Sequence, residues 1–146
     1  MPVKFEVLGV PVGKGRPKFS TVNGHAVAYT PAKTANYETL VKLSYQQKYA
    51  GCMFDKDIPL RAIIRAFFPI PKSASKKKQE QMRDLRILHT KKPDADNIIK
   101  AVLDALNGVA YYDDSQVAEV VISKAYAEVP KVEIEIYNVG DVYAKR

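Results

Sequence analysis

The apolar positions of this chain change period several times, and each change marks an element. Over residues 3–8, VKFEVL, they fall on every second residue, with Val3, Phe5 and Val7 on one side, which predicts a half-buried strand. PVGKGRPKFS then interrupts the pattern with two glycines and two prolines, so a loop is predicted there. A short strand is predicted over residues 26–29, AVAY, ended by Thr30-Pro31. From Thr34, a capping residue, to about Ala50, Tyr37, Leu40, Val41, Tyr45 and Tyr49 recur near i, i+3, i+4. That spacing predicts a helix whose apolar stripe is core, with Gly51 as its stop.

Residues 60–68, LRAIIRAFF, predict a strand between Pro59 and Pro69, and Ser73 or Ser75 opens a second helix to about Leu85. A third helix, from Asp96 or Asn97 to Asn107, buries Ile98, Val102, Ala105 and Leu106 and closes at Gly108. Residues 117–126 and 131–137 read as two strands joined by the turn-like Glu128-Val129-Pro130, hence an antiparallel hairpin. In the second strand Val132, Ile134 and Ile136 face inward, while Glu133 and Glu135 form a solvated face. The tail DVYAKR is expected to be loosely ordered. The order predicts a single domain over residues 1–146, α/β (α+β) in class, in two layers with a mixed sheet packed against helices.

Composition narrows the setting. No run reaches the roughly 20 apolar residues of a membrane span, and MPVKFEVLGV lacks the basic start and long apolar stretch of a signal peptide. The single cysteine, Cys52, can form neither an internal disulfide nor a thiolate zinc site. A cytoplasmic protein is expected. Charge then divides the chain: residues 1–93 hold 18 Lys and Arg against 6 Asp and Glu, whereas residues 94–146 hold 5 against 10. A basic surface for a polyanion beside a separate acidic site would account for that asymmetry, and so would an unevenly charged solvated surface.

The basic candidates are Lys14, Arg16 and Lys18 in the glycine-rich loop, Lys76, Lys77 and Lys78 in the first turn of the second helix, and Lys91 and Lys92. Cations in a first turn oppose the helix dipole, so the lysine run is either a DNA-backbone contact or a fraying turn. The loop is not a phosphate-cradling P-loop, because no Gly-Lys-Ser/Thr follows at the required distance.

The acidic candidates lie in KPDADNIIKAVLDALNGVAYYDDSQV, residues 92–117: Asp94, Asp96, Asp104, Asp113 and Asp114, with Asn97 and Lys100 among them. Asp94 or Asp96 would serve as a helix cap, but one cap does not require two aspartates and an asparagine. An EF-hand fails, since Ile99 stands where glycine is needed and Ala105 where a bidentate glutamate is needed. Zinc fails because His25 and His89 are far apart and the cysteine is alone. An oxygen-only donor set suits Mg²⁺, or Mn²⁺, and such an ion can activate water and neutralise a phosphodiester. Lys100 would either pair with a carboxylate one helical turn away or face the phosphate.

The Asp-x-Asp-Asn-x-x-Lys core, the Asp-Ala-Leu that follows and the Asp-Asp-x-Gln-Val after the loop resemble the signature of the RusA-type Holliday-junction resolvases, endonucleases of bacteria and their phages. GVPVGKGRPKFS and Tyr29-Thr30-Pro31 are similar to members of that family as well. The resemblance implies a Mg²⁺-dependent homodimer that places paired, symmetric nicks in four-way, branched DNA. It implies Asp94, Asp96 and Asp114 as metal ligands and catalytic acids and Lys100 as the essential lysine, with Asp113, Asp104 and Asn97 in reserve. Two further readings stand beside it. One is a branched-DNA-binding module that does not cut; the other is a metal-dependent nuclease on flaps, forks or RNA.

Overall fold

A computed structural model describes residues 2–15, 18–29 and 31–143. Its centre is a four-stranded mixed sheet, in the order β1 (Val3–Leu8), β6 (Lys131–Asn138), β4 (Leu60–Pro69), β5 (Val117–Ala127). β6 runs antiparallel to both β1 and β4, whereas β4 and β5 are parallel. Helices α1 (Ala32–Tyr49) and α3 (Ala95–Leu106) cover one face, α2 (Lys76–Arg83) lies against β5, and α4 (Val139–Tyr143) follows β6. This is the two-layer arrangement with a mixed sheet that the periodicity predicts.

The alternation of β1, β4 and β6 sets the layers. Val3 and Val7, Ala62, Ile64 and Ala66, and Val132, Ile134 and Ile136 all point under the helices and are buried. They meet Tyr37, Val41 and Tyr45 of α1 and Ile98, Val102 and Leu106 of α3 in one cluster. The opposite face is a ladder of ion pairs, in which Glu135 lies 3.2 Å from both Lys4 and Arg65, and Lys131 lies 3.0 Å from Glu6. Glu133 and Glu135 therefore face outward as predicted.

Four expectations need correction. The strands over 117–127 and 131–138 do not form a hairpin, because β4 lies between them. The connecting residues 128–130 are just long enough to step across two strand spacings of about 4.8 Å. β4, whose apolar face is buried along its length, takes the central place and pairs with both. The basic loop also ends earlier than predicted: Lys18–Val22 forms β2, antiparallel to β3 (His25–Tyr29). Its Asn23-Gly24 turn takes positive φ at both residues, the geometry a tight hairpin requires. Helix α1 starts two residues before Thr34, which is not its cap, and Leu40 is exposed rather than part of the core stripe. Of the tail, residues 141–143 belong to the helix Val139–Tyr143 and are not loose, while residues 144–146 lie outside the described residues.

His89 is a packing residue. Its ring stacks on Phe68 at 3.6 Å, and its Nδ1 is buried without a hydrogen-bond partner. Burial, then the nearby Lys124 and Lys91 charges, hold its pKa below the usual 6.5. The folded state thus prefers the neutral ring, and stability falls as pH drops below about 6.5, where the unfolded chain binds the proton more readily. Thermal melts between pH 7.5 and 5.5 should show this loss, and His89→Phe should reduce it; an unchanged slope in the variant would contradict it.

Candidate active site at the two ends of one helix

Helix α3 organises the acidic residues. Its amphipathic pattern buries Ile98, Ala101, Val102, Ala105 and Leu106, so its polar residues face outward. Asp94 stands at the N-cap position, yet its carboxylate makes no capping hydrogen bond. Asp96 lies in the first turn, where the helix dipole favours an anion. Both side chains are exposed, next to the exposed Lys91 and Lys92. A cleft of about 460 Å³ opens there, lined by Gly13, Lys14, Gly15, Lys92, Asp94 and Asn97, among others.

The other carboxylates gather at the far end. Asp104 lies 3.3 Å from Lys14 Nζ and 3.5 Å from Lys100 Nζ, so Lys100 leans toward the carboxylate one turn ahead and not back to Asp96. Asp113 caps a 3₁₀ turn, Asp114–Gln116, by accepting from the Ser115 N–H at 3.1 Å. The Asp114 N–H donates to Asn107 Oδ1 at 3.2 Å. Burial raises the pKa of Asp114, helped by a hydrogen bond shared with Asp113 and by the Asp104 charge. Asp113 moves the other way, held below the usual range chiefly by the Ser115 N–H.

Eight residues of helix separate Asp96 from Asp104, about 12 Å along the axis. One ion cannot span that distance, since Mg²⁺ holds its ligands at about 2.1 Å. Among the described residues no three His, Cys, Asp or Glu come together in a way that could hold a metal. Within one chain, then, Asp94 and Asp96 stand at one end of α3, and Asp104, with Asp113 and Asp114 beside it, stands at the other.

Of the basic candidates, Lys76, Lys77 and Lys78 are exposed in the first turn of α2, where Ser75 Oγ accepts from the Lys78 N–H. Lys14 is turned inward between Glu38 and Asp104 and is only 15% exposed. Burial opposes its charge, but those two carboxylates more than offset this and raise its pKa. Lys14 thereby ties the glycine-rich loop to α1 and α3. Arg16 lies outside the described residues, as does the side chain of Lys18.

Three residues of the site escape a reading of charge and spacing. Gln116 accepts from the N–H groups of Tyr112 and Asp113 and donates to the carbonyls of Asp55 and Ile58, fastening the acidic turn to the start of β4. Thr34 Oγ1 accepts from the Gly15 N–H at 3.0 Å. Gly13 lies so close to the entry of α3 that a Cβ would stand 2.7 Å from Pro93 Cβ and 3.1 Å from Asn97 Cβ. Gly13→Ala is therefore expected to destabilise the fold by about 1–3 kcal/mol through overpacking. Urea unfolding would check it, and a variant with wild-type stability would contradict the close approach.

A chain with paired carboxylates at exposed helix ends and lysines beside them fits a class of enzymes acting on phosphodiesters. Comparison with known proteins makes this specific: residues 9–137 match the family described as Endodeoxyribonuclease RusA, and the chain belongs to that family. It is 40% identical over 140 residues to the uncharacterized protein YqaN of Bacillus subtilis strain 168, covering 94% of this chain and 97% of that one. It is 30% identical over 137 residues to the crossover junction endodeoxyribonuclease rusA of Lactococcus phage r1t, covering 93% and 96%.

Proposed function

We propose that this protein is a divalent-metal-dependent endonuclease that resolves four-way DNA junctions as a homodimer, by paired symmetric nicks, in cytoplasmic DNA recombination and repair. The observation that carries the reading is the placement of exposed Asp94 and Asp96 beside exposed Lys91 and Lys92. Lysines draw in a phosphate, which carboxylates at the same spot would repel without a cation between them. The likeness to the phage crossover junction endodeoxyribonuclease supports four-way junctions as substrate.

The split donor set gives the homodimer a purpose. Asp94 and Asp96 of one copy and Asp114 of a second would hold Mg²⁺, or Mn²⁺, which supplies an activated water and neutralises charge on the phosphate. Oxygen-only donors suit such a hard cation. Lys91 and Lys92 position the DNA backbone, Lys100 adds positive charge beside the acidic turn, and Asp113 and Gln116 hold Asp114 in place. Lys76, Lys77 and Lys78 extend the basic surface away from the site. No helix among the described residues is long and apolar enough to cross a membrane.

The test is to offer the purified protein a synthetic four-way junction, a linear duplex, a flap and an RNA hairpin, each with Mg²⁺ or with EDTA. Paired nicks in the junction alone, lost in EDTA, are expected. Preferential cutting of flaps or RNA would reassign the substrate. Junction binding without nicks under either condition would make the protein a binding module and overturn the nuclease reading.

A further inference from the structure

We propose that the β2–β3 hairpin is a DNA-stacking arm, which lays Phe19 against a base face left uncovered where the arms of a branched DNA meet. The inference rests on the action on branched DNA proposed above and names the element that distinguishes a branch from a plain duplex.

β2 and β3 pair with each other and, among the described residues, with no strand of the main sheet. From Phe19 to Ala28 every described residue is exposed, on both faces of the hairpin. A two-stranded hairpin that buries neither face is marginal in water, so it gains most from a partner outside the core. The cross-strand register and the alternation of side chains put Phe19, Thr21, Ala26 and Ala28 on one face. Phe19 is 71% exposed, more than any other large apolar side chain among the described residues. One ring above a floor of small side chains leaves room for a second flat ring against it.

Charge identifies the partner as a polyanion. Residues 7–37 hold Lys14, Arg16, Lys18 and Lys33 and not one Asp or Glu. Lys14 is paired internally with Glu38 and Asp104, and the other three cations meet no acid from their own stretch of chain. Both legs of the hairpin rise from the cleft beside Asp94. Gly13 and Gly15 line it on the way out, and Pro31, Lys33 and Thr34 on the way back. The Gly15 N–H bond to Thr34 Oγ1 at 3.0 Å clamps the two legs together. The four steps from Gly15 to Phe19 span at most about 14 Å, or roughly four nucleotide steps of 3.4 Å. DNA whose phosphate sits at Asp94 therefore has bases within reach of Phe19.

Inside a duplex each base face is covered by the next, and a side chain must part a stacked step before it can insert. At the centre of an open four-way junction the terminal pairs of the arms lack that neighbour. The ring stacks there without the unstacking cost. Stacking of one base on an aromatic side chain is worth roughly 5- to 150-fold in affinity.

The chain has no tryptophan, so Phe19→Trp supplies a single indole whose emission falls when it stacks on a base. Full-length wild type, Phe19→Trp and Phe19→Ala are titrated in EDTA with a synthetic four-way junction and with a linear duplex. The junction should quench the indole and the duplex should not. Phe19→Ala should bind the junction roughly 10-fold more weakly, with duplex affinity, sedimentation mass and circular dichroism as in the wild type, and Phe19→Trp should keep wild-type affinity. Emission unmoved by saturating junction, or wild-type junction affinity in Phe19→Ala, would overturn the proposal. So would a changed sedimentation mass in Phe19→Ala, which would assign the hairpin to a protein partner. Nicking of the same junction by the wild type in Mg²⁺ is read alongside. Its absence with quenching intact would leave the arm standing and remove only the nuclease reading.

Discussion

Asp114→Asn is expected to lower junction nicking by at least about 100-fold, the loss typical when even a supporting group around a metal is removed. The metal-free variant should nevertheless melt at or above the wild-type temperature. Asp114 has a raised pKa in the folded state, from burial first and then from Asp113 and Asp104. At neutral pH its charge is therefore worse accommodated in the folded protein than in the unfolded chain, and the neutral amide removes that penalty. Activity lost while stability is kept is the mark of a residue held in an unfavourable place for function. Nicking assays beside thermal melts in EDTA check both halves. Undiminished cutting would remove Asp114 from the site, and a large fall in melting temperature would make it structural.

Gln116→Ala should rank next and act differently. Gln116 receives two backbone N–H groups and donates to two carbonyls across the gap between the acidic turn and the strand entry. Its removal leaves several polar groups without partners, each worth about 1 kcal/mol net when paired. A destabilisation of about 2–3 kcal/mol follows, together with a displaced Asp114 and weaker nicking. Chemical denaturation and amide exchange over residues 112–117 report it. Wild-type stability with intact exchange protection would show that the turn holds itself.

Much of this could be read from the chain. The period-two pattern in VKFEVL and KVEIEIY reports burial on one face only, and both strands appear where the pattern places them, as does α3 with Gly108 at positive φ. Pairing was less legible. β5 and β6 look like a hairpin because three turn-like residues join them, but strand order is decided by which neighbour buries the most apolar surface, a property of the whole sheet. Lys14 shows the same limit at the site. Its sequence surroundings suggest a cation for phosphate, yet Glu38 and Asp104, distant in sequence, turn it inward. The spacing of Asp94, Asp96 and Asp114 suggests one cluster, and only the rigid length of α3 shows that a single chain separates them. Gln116 was visible within the Asp-Asp-x-Gln-Val motif, but a role made of four backbone contacts leaves no mark of charge or periodicity.

The central claim is that each metal site takes Asp94 and Asp96 from one copy and Asp114 from another. Co-refolding equal amounts of Asp94→Asn and Asp114→Asn tests it most directly. In a mixed pair one site collects both substitutions and the other collects neither. Statistical mixing then restores roughly one quarter of wild-type sites, visible as single nicks in a four-way junction, although each variant alone is inactive. A mixture as inactive as its components, prepared under conditions where mixed pairs are shown to form, would place all three aspartates of a site in one chain and contradict the account.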